Sequence, residues 1–148
     1  YKNMATIGMA SDHAGFELKE FLKPYIKSMG YDIMDFGTHS TDSMDYPDTA
    51  HPLAEALESG KVDCGIAMCG SGNGISMTLN KHQGVRAALC WNPELGALAR
   101  QHNDANVLSL PARFISHELA LEIVRSFLTA EFEGGRHRRR VEKIAVSK

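Results

Sequence analysis

The chain has 148 residues, 43% hydrophobic and 23% charged, and a net charge of −2 with histidine neutral. That is ordinary composition for about one globular domain, and it excludes a disordered chain, a collagen-like chain and a coiled coil. No apolar run approaches the roughly 18 residues of a membrane span, and the first residues lack a signal-peptide layout, so a soluble cytoplasmic protein is expected.

Residues 5–10 (ATIGMA) predict a first strand, ending at Ser11-Asp12-His13. Leu18, Phe21, Leu22, Tyr25, Ile26 and Met29 then recur at helical spacing. Pro24 inside that stripe predicts a kink or early break, and Gly30 fits the helix C-cap. Residues 32–36 predict a second strand, followed by a polar loop through Asp48. Ala50, Leu53, Ala54 and Leu57 mark a second helix, closed by Gly60. Residues 64–69 (CGIAMC) predict a buried strand that feeds the glycine turn at 70–74 and a short helix near 75–80.

Residues 85–91 predict a fourth strand, after which Asn92 and Pro93 suit the N-cap and first position of a helix bearing Leu95, Leu98 and Ala99. Residues 106–110 predict the fifth strand, and Ser116 caps a helix carrying Leu119, Ala120, Ile123, Val124, Phe127 and Leu128. From Glu131 the tail has helical spacing through Val141, Ile144 and Ala145. Five strands alternating with helices predict one α/β domain over residues 1–148: a Rossmann-like three-layer α/β/α sandwich around a five-stranded parallel sheet. A strand order of 2-1-3-4-5 is expected. In such sheets ligands sit beyond the carboxyl ends of the strands, which points to Asp12, Gly70, Trp91 and Arg113.

Charge is unevenly spread. The tail at 131–148 carries Arg136, Arg138, Arg139, Arg140, Lys143 and Lys148, so the rest of the chain is acidic. That pattern lacks the broad basic face of a nucleic-acid binder and suits a small anion held at the tail. Three cysteines, Cys64, Cys69 and Cys90, without C-x-x-C spacing predict neither a disulfide framework nor a zinc site.

The strongest local signal is Cys69-Gly70-Ser71-Gly72-Asn73-Gly74-Ile75 on a strand-to-helix turn. Glycines let the backbone approach a ligand, consecutive N–H groups form an anion nest, and a helix start favours a thiolate at Cys69. A tight turn with an inert buried Cys69 is the other reading of this segment. Ile75 breaks both the dinucleotide fingerprint and the cysteine-phosphatase loop, and no Gly-Lys-Ser/Thr of a P-loop is present.

Asp12-His13 projects from the same edge, either to cap the turn or to bind sugar hydroxyls and phosphate. His102 continues a core stripe yet sits among Gln101, Asn103, Asp104 and Asn106, so a core position and a site position stay equally open. Arg113 follows the fifth strand. Arg136 and Arg140, four apart, share a helical face suited to phosphate oxygens. His39, His51, His82, His117 and His137 lack metal-ligand spacing, and no metal is assigned. Cys64 and Cys90 read as small buried apolar residues.

Taken together, Ser11-Asp12-His13-Ala14-Gly15, Asp45-Tyr46-Pro47, Cys69 through Ser76, Asn80-Lys81, Arg100 through Asp104 and Glu133-Gly134-Gly135-Arg136-His137 resemble the type B ribose-5-phosphate isomerases. These belong to a wider family that includes galactose-6-phosphate isomerase subunits, and the resemblance covers nearly the whole chain. It implies interconversion of ribose 5-phosphate and ribulose 5-phosphate in the non-oxidative pentose phosphate pathway, without metal or organic cofactor. It implies Cys69 as the base for an enediolate, since Ile75 stands where other members carry a glutamate.

The same resemblance implies that His102 and Ser71 open the furanose ring. Asp12, Tyr46 and Asn103 then hold sugar hydroxyls, Gly70, Gly72, Asn73 and Gly74 line the nest, and His13, Arg113, Arg136 and Arg140 take the phosphate. It further implies a homodimer or tetramer whose sites are shared, with His102 arriving from the partner. Residues 1–4 are set aside as possible non-native additions. An isomerase of galactose 6-phosphate or allose 6-phosphate is the nearest rival reading, and a non-catalytic sugar-phosphate or nucleotide sensor the remote one.

Overall fold

The computed structural model describes residues 6–146. Position 5 of the first predicted strand, residues 1–4, and the tail's Ser147 and Lys148 lie outside the described residues. Five strands form one parallel sheet: β1 (Thr6–Ser11), β2 (Asp32–Asp35), β3 (Cys64–Cys69), β4 (Ala87–Leu89) and β5 (Val107–Pro111). The helices are α1 (Phe16–Ser28), α2 (Pro47–Glu58), α3 (Asn73–Leu79), α4 (Pro93–Gln101), α5 (His117–Thr129) and α6 (Arg136–Glu142). No helix among the described residues is long and apolar enough to cross a membrane.

Strand side chains alternate between two cores, as the two-residue period of a strand requires. Ile7, Met9, Ile66, Met68, Leu108 and Leu110 pack with Leu18, Leu22 and Ile26 of α1, Ala99 of α4 and Ile123, Val124 and Phe127 of α5. Ala10, Ala67, Cys69 and Val107 face Leu53 and Ala54 of α2 and Ile75 and Leu79 of α3. Cys69 therefore points to the α2–α3 side, while its neighbour Met68 points to the other.

The strand order is β2-β1-β3-β5-β4, which corrects the expected 2-1-3-4-5. Every residue of β5 is buried, whereas the three residues of β4 are only partly so. The longer, fully buried strand takes the interior place with both faces covered, and the short one is left at the edge. The predicted break at Pro24 does not occur: α1 runs through it. Pro24 lies on the exposed side while Leu22 and Ile26 on the buried face anchor the helix on either side. The tail is helical only from Arg136, because Gly134 and Gly135 take positive φ (68° and 55°) and turn the chain first. Asn92 and Ser116 cap as expected, accepting from the amides of Leu95 and Leu119.

Candidate active site

The first cluster stands at the carboxyl edge of β1, β3 and β5. The Asp12 carboxylate accepts the amides of Ala14 and Gly15 at 2.9 and 3.1 Å, so it closes the turn into α1. It is 7% exposed. His13 Nδ1 accepts the Met44 amide at 3.2 Å, tying this turn to the long polar loop. Thr49 Oγ1 donates toward the Ser11 and Tyr46 carbonyls, which fixes the start of α2 against the end of β1.

Cys69 ends β3, 4% exposed, with the glycine turn directly beyond it. Gly72 adopts φ 78° as the N-cap of α3, and a Cβ there would come within 2.4 Å of Leu89. Ser71 is exposed, and its Oγ accepts the Asn73 amide at 3.2 Å. A Cβ on Gly74 would lie 2.4 Å from the Tyr46 ring, so the absent side chain is what lets Tyr46 lie over the turn. Arg113 approaches from β5, its amide donating to the Gly70 carbonyl. Asp12, His13, Tyr46, residues 69–74 and Arg113 thus share one edge.

His102, Asn103, Arg136 and Arg140 do not join them within one chain. Helix α4 leaves the carboxyl edge after β4 and runs back nine residues, about 13 Å at 1.5 Å per residue. His102 caps its far end. The next residues enter the sheet at the opposite edge, where Asn106 accepts the Gly65 amide and donates to the Arg86 carbonyl. Helix α5 makes the same return from β5, and the Glu133 amide then donates to the Gln101 carbonyl at 3.0 Å, which brings the arginine tail to His102.

His102 is neither in the core nor alone. Its ring stacks on His137 with centroids 4.3 Å apart and planes 11° from parallel. The Glu133 carboxylate lies 3.8 Å from His102 Nε2 and 3.6 Å from His137 Nε2. Desolvation, then the charges of His102 and Arg136, pushes His137 below its ordinary value, against the opposing pull of Glu133. The motif Glu133-Gly134-Gly135-Arg136-His137 carries the resemblance, yet neither Glu133 nor His137 is among the predicted site residues. Their i, i+4 spacing was the available signal.

Donor atoms of His102, Glu133 and His137 fall within 4.8 Å of one another, the span of a metal site. The parallel rings argue against one: in-plane lone pairs on stacked rings run side by side and do not converge on a common ion. Elsewhere burial pushes the Cys64 and Cys90 thiols up to about 12, as befits packed apolar residues.

A five-stranded all-parallel sheet covered by helices on both faces, with a glycine turn after its central strand, places the chain in the class of Rossmann-like α/β proteins. The ribose/galactose isomerase family model matches residues 7–144. Ribose-5-phosphate isomerase B of Escherichia coli is 45% identical over 143 residues, covering 97% of this chain and 96% of that one. A ribose 5-phosphate isomerase structure from Thermotoga maritima superposes with a TM-score of 0.93 at 49% identity, over 95% of this chain and 97% of its own. The Mycoplasma genitalium ribose-5-phosphate isomerase B structure with bound ribulose-5-phosphate gives 0.90 at 43% identity, covering 94% and 93%. The chain belongs to the ribose/galactose isomerase family.

Proposed function

We propose that the chain is an aldose–ketose isomerase that interconverts D-ribose 5-phosphate and D-ribulose 5-phosphate. The observation that carries this reading is its end-to-end similarity to the ribulose-5-phosphate-bound Mycoplasma genitalium enzyme. The cytoplasmic non-oxidative pentose phosphate pathway is its proposed setting.

His102 and Ser71 open the sugar ring, one taking the O1 proton and the other delivering a proton to the ring oxygen. Cys69 as thiolate then removes the C2 proton and returns it to C1, while the O2 proton passes to O1, so that C2 becomes the carbonyl and C1 the alcohol. The intermediate enediolate places negative charge on oxygen beside the backbone amides of residues 70–74, where preorganised donors are most effective. A placed base of this kind contributes roughly 10²–10⁴-fold. Asp12, Tyr46 and Asn103 hold the sugar hydroxyls, and His13, Arg113, Arg136 and Arg140 hold the phosphate.

The two edges make complementary half-sites, one with the base and turn, the other with the ring-opening histidine and two arginines. A homodimer with two-fold symmetry joins each half to its complement twice. Beside the glycine turn, the edge strand β4 and α3 leave Met77 67% and Trp91 55% exposed, apolar surface that suits a second copy.

Conversion of ribose 5-phosphate by chelator-treated protein, with and without Cys69→Ala, tests the proposal. Turnover that disappears in the variant supports isomerase and base together. Turnover that survives moves the base elsewhere. No conversion of the pentose by the unmodified chain overturns the substrate, and six-carbon sugar phosphates are then assayed.

A further inference from the structure

The turn at Gly134 and Gly135 does more than carry the arginines of α6 to the site's second half. It sets Glu133 at the edge of two stacked imidazoles, with the carboxylate 3.8 and 3.6 Å from their Nε2 atoms. The Glu133 amide is anchored on the Gln101 carbonyl, one residue before His102. The His137 amide donates to the Gly134 carbonyl at 3.0 Å, and the residue is 9% exposed. One face of the His102 ring is therefore covered by a ring that is itself held in place, and one nitrogen faces a carboxylate.

From this arrangement we infer that Glu133 is a positioning residue for ring opening, orienting the His102 imidazole and balancing the charge of its imidazolium, with His137 as the stacking wall. The inference rests on the ring-opening role proposed for His102. Ring opening moves a proton off O1, turns the O1–H electron pair into the C1=O1 bond, and returns the C1–O4 pair to O4 with a proton. Whichever of these two transfers falls to His102, its ring alternates between neutral and cationic forms. An anion beside one ring nitrogen lowers the cost of the cationic form and leaves the other nitrogen for the sugar, and the stack fixes the ring plane.

The charged and titratable groups around the stacked pair are few. Glu133 comes from the α5–α6 connection, and Arg136 and Arg140 from α6. On the side of α4, Arg100 and Asp104 pair with each other at 2.7 Å. Glu133 is thus the anion placed to serve His102. One carboxylate stands within 4 Å of both Nε2 atoms, so the geometry couples it to the ring of His102 as well as to that of His137.

The test exploits a difference between the two sugars. Ribulose 5-phosphate has its carbonyl at C2 and its O5 esterified, so it cannot close a furanose ring. Exchange of its C1 hydrogen with deuterated solvent needs Cys69 and the nest but no ring opening. Conversion of ribose 5-phosphate needs both steps.

Both readouts are taken on Glu133→Gln, Glu133→Asp and His102→Asn. The expected result for Glu133→Gln is a fall of about tenfold or more in ribose 5-phosphate kcat, with ribulose exchange kept within about twofold and part of the loss recovered by Glu133→Asp. Equal losses in both readouts overturn the inference, because they mean that Glu133 merely seats the arginine tail, whose phosphate contacts serve both sugars. No loss in either readout overturns it as well. Loss of ribulose exchange in His102→Asn overturns instead the underlying assignment of His102 to ring opening, and a split seen in His102→Asn but absent in Glu133→Gln overturns the inference alone.

Discussion

The Arg113 guanidinium lies over Gly70 in the space a side chain would take: a Cβ built on Gly70 stands 3.2 Å from Arg113 Nη1, while the Arg113 amide donates to the Gly70 carbonyl at 3.0 Å. One small residue thus sets both the backbone and the side chain of an arginine at the ligand edge. Gly70→Ala displaces the flexible guanidinium and leaves the backbone in place. The expected outcome is a rise in KM for ribose 5-phosphate of roughly tenfold with kcat retained, and a stability change below about 1 kcal/mol. Steady-state kinetics and urea unfolding check both halves.

The proposed half-sites on opposite edges of one sheet predict complementation between Cys69 and His102 variants. Cys69→Ala and His102→Asn are each expected to be inactive toward ribose 5-phosphate when pure. Co-expressed or refolded together, they are expected to form mixed dimers in which one of the two proposed sites has both halves intact. Recovery to about a quarter of wild-type turnover is expected for random pairing. Titrating one variant against the other and assaying conversion gives the measurement, and recovery absent at every ratio places both residues in one chain's site.

The loop beneath Asp12 is held by a buried charge. Lys19, fully buried, donates to both oxygens of Asp35 at 2.9 and 2.7 Å, and Lys23 pairs with the same carboxylate. Asp35 also accepts the Gly37 amide, and the Gly37 carbonyl in turn accepts the Ser11 amide next to Asp12. Burial by itself raises Asp35, but the bonds from Lys19, Lys23 and Gly37 outweigh it and hold the carboxyl below its usual value. Asp35→Asn leaves half-exposed Glu20 as the carboxylate paired with buried Lys19 and costs about 3 kcal/mol at neutral pH. A depressed acid stabilises the fold above its unfolded value and stops doing so as pH falls through the folded one. The gap between wild type and variant, read by denaturant unfolding, therefore closes as pH drops below about 4.

Cys64 and Cys90 have thiols pushed up to about 12 by burial. At pH 8 on the order of one molecule in ten thousand carries either as thiolate, so neither reacts with iodoacetamide until the chain unfolds. A raised thiol value also means that the unfolded chain loses these protons first. Stability is fully present below the ordinary value of about 8.5 and falls as pH climbs from there toward 12. Replacing Cys90 by Ala flattens part of that alkaline decline, measured by unfolding between pH 7 and 10.

Much of this was legible along the chain because it is local. The caps at Asn92 and Ser116 are single-residue chemistry, and the interior strands β1, β3 and β5 announce themselves by their largely apolar, buried runs. The turn after Cys69 could be placed at a strand's carboxyl end without knowing which strands neighbour it. Pro24 misled because the rule for proline concerns an isolated helix, whereas here buried Leu22 and Ile26 hold the helix through it.

Local patterns along the chain were enough for the α/β class, the residue types at the glycine turn and the separation of charge between an acidic body and a basic tail, since these depend on neighbours a few residues apart. The three-dimensional packing decided that β5 lies inside β4 and that Glu133 and His137 gather at His102, and it supplied the path by which His102 and the tail arginines reach the opposite edge from Cys69. Those relationships join segments tens of residues apart. They follow from which apolar faces bury best against one another, a sum over the whole core that no local pattern contains.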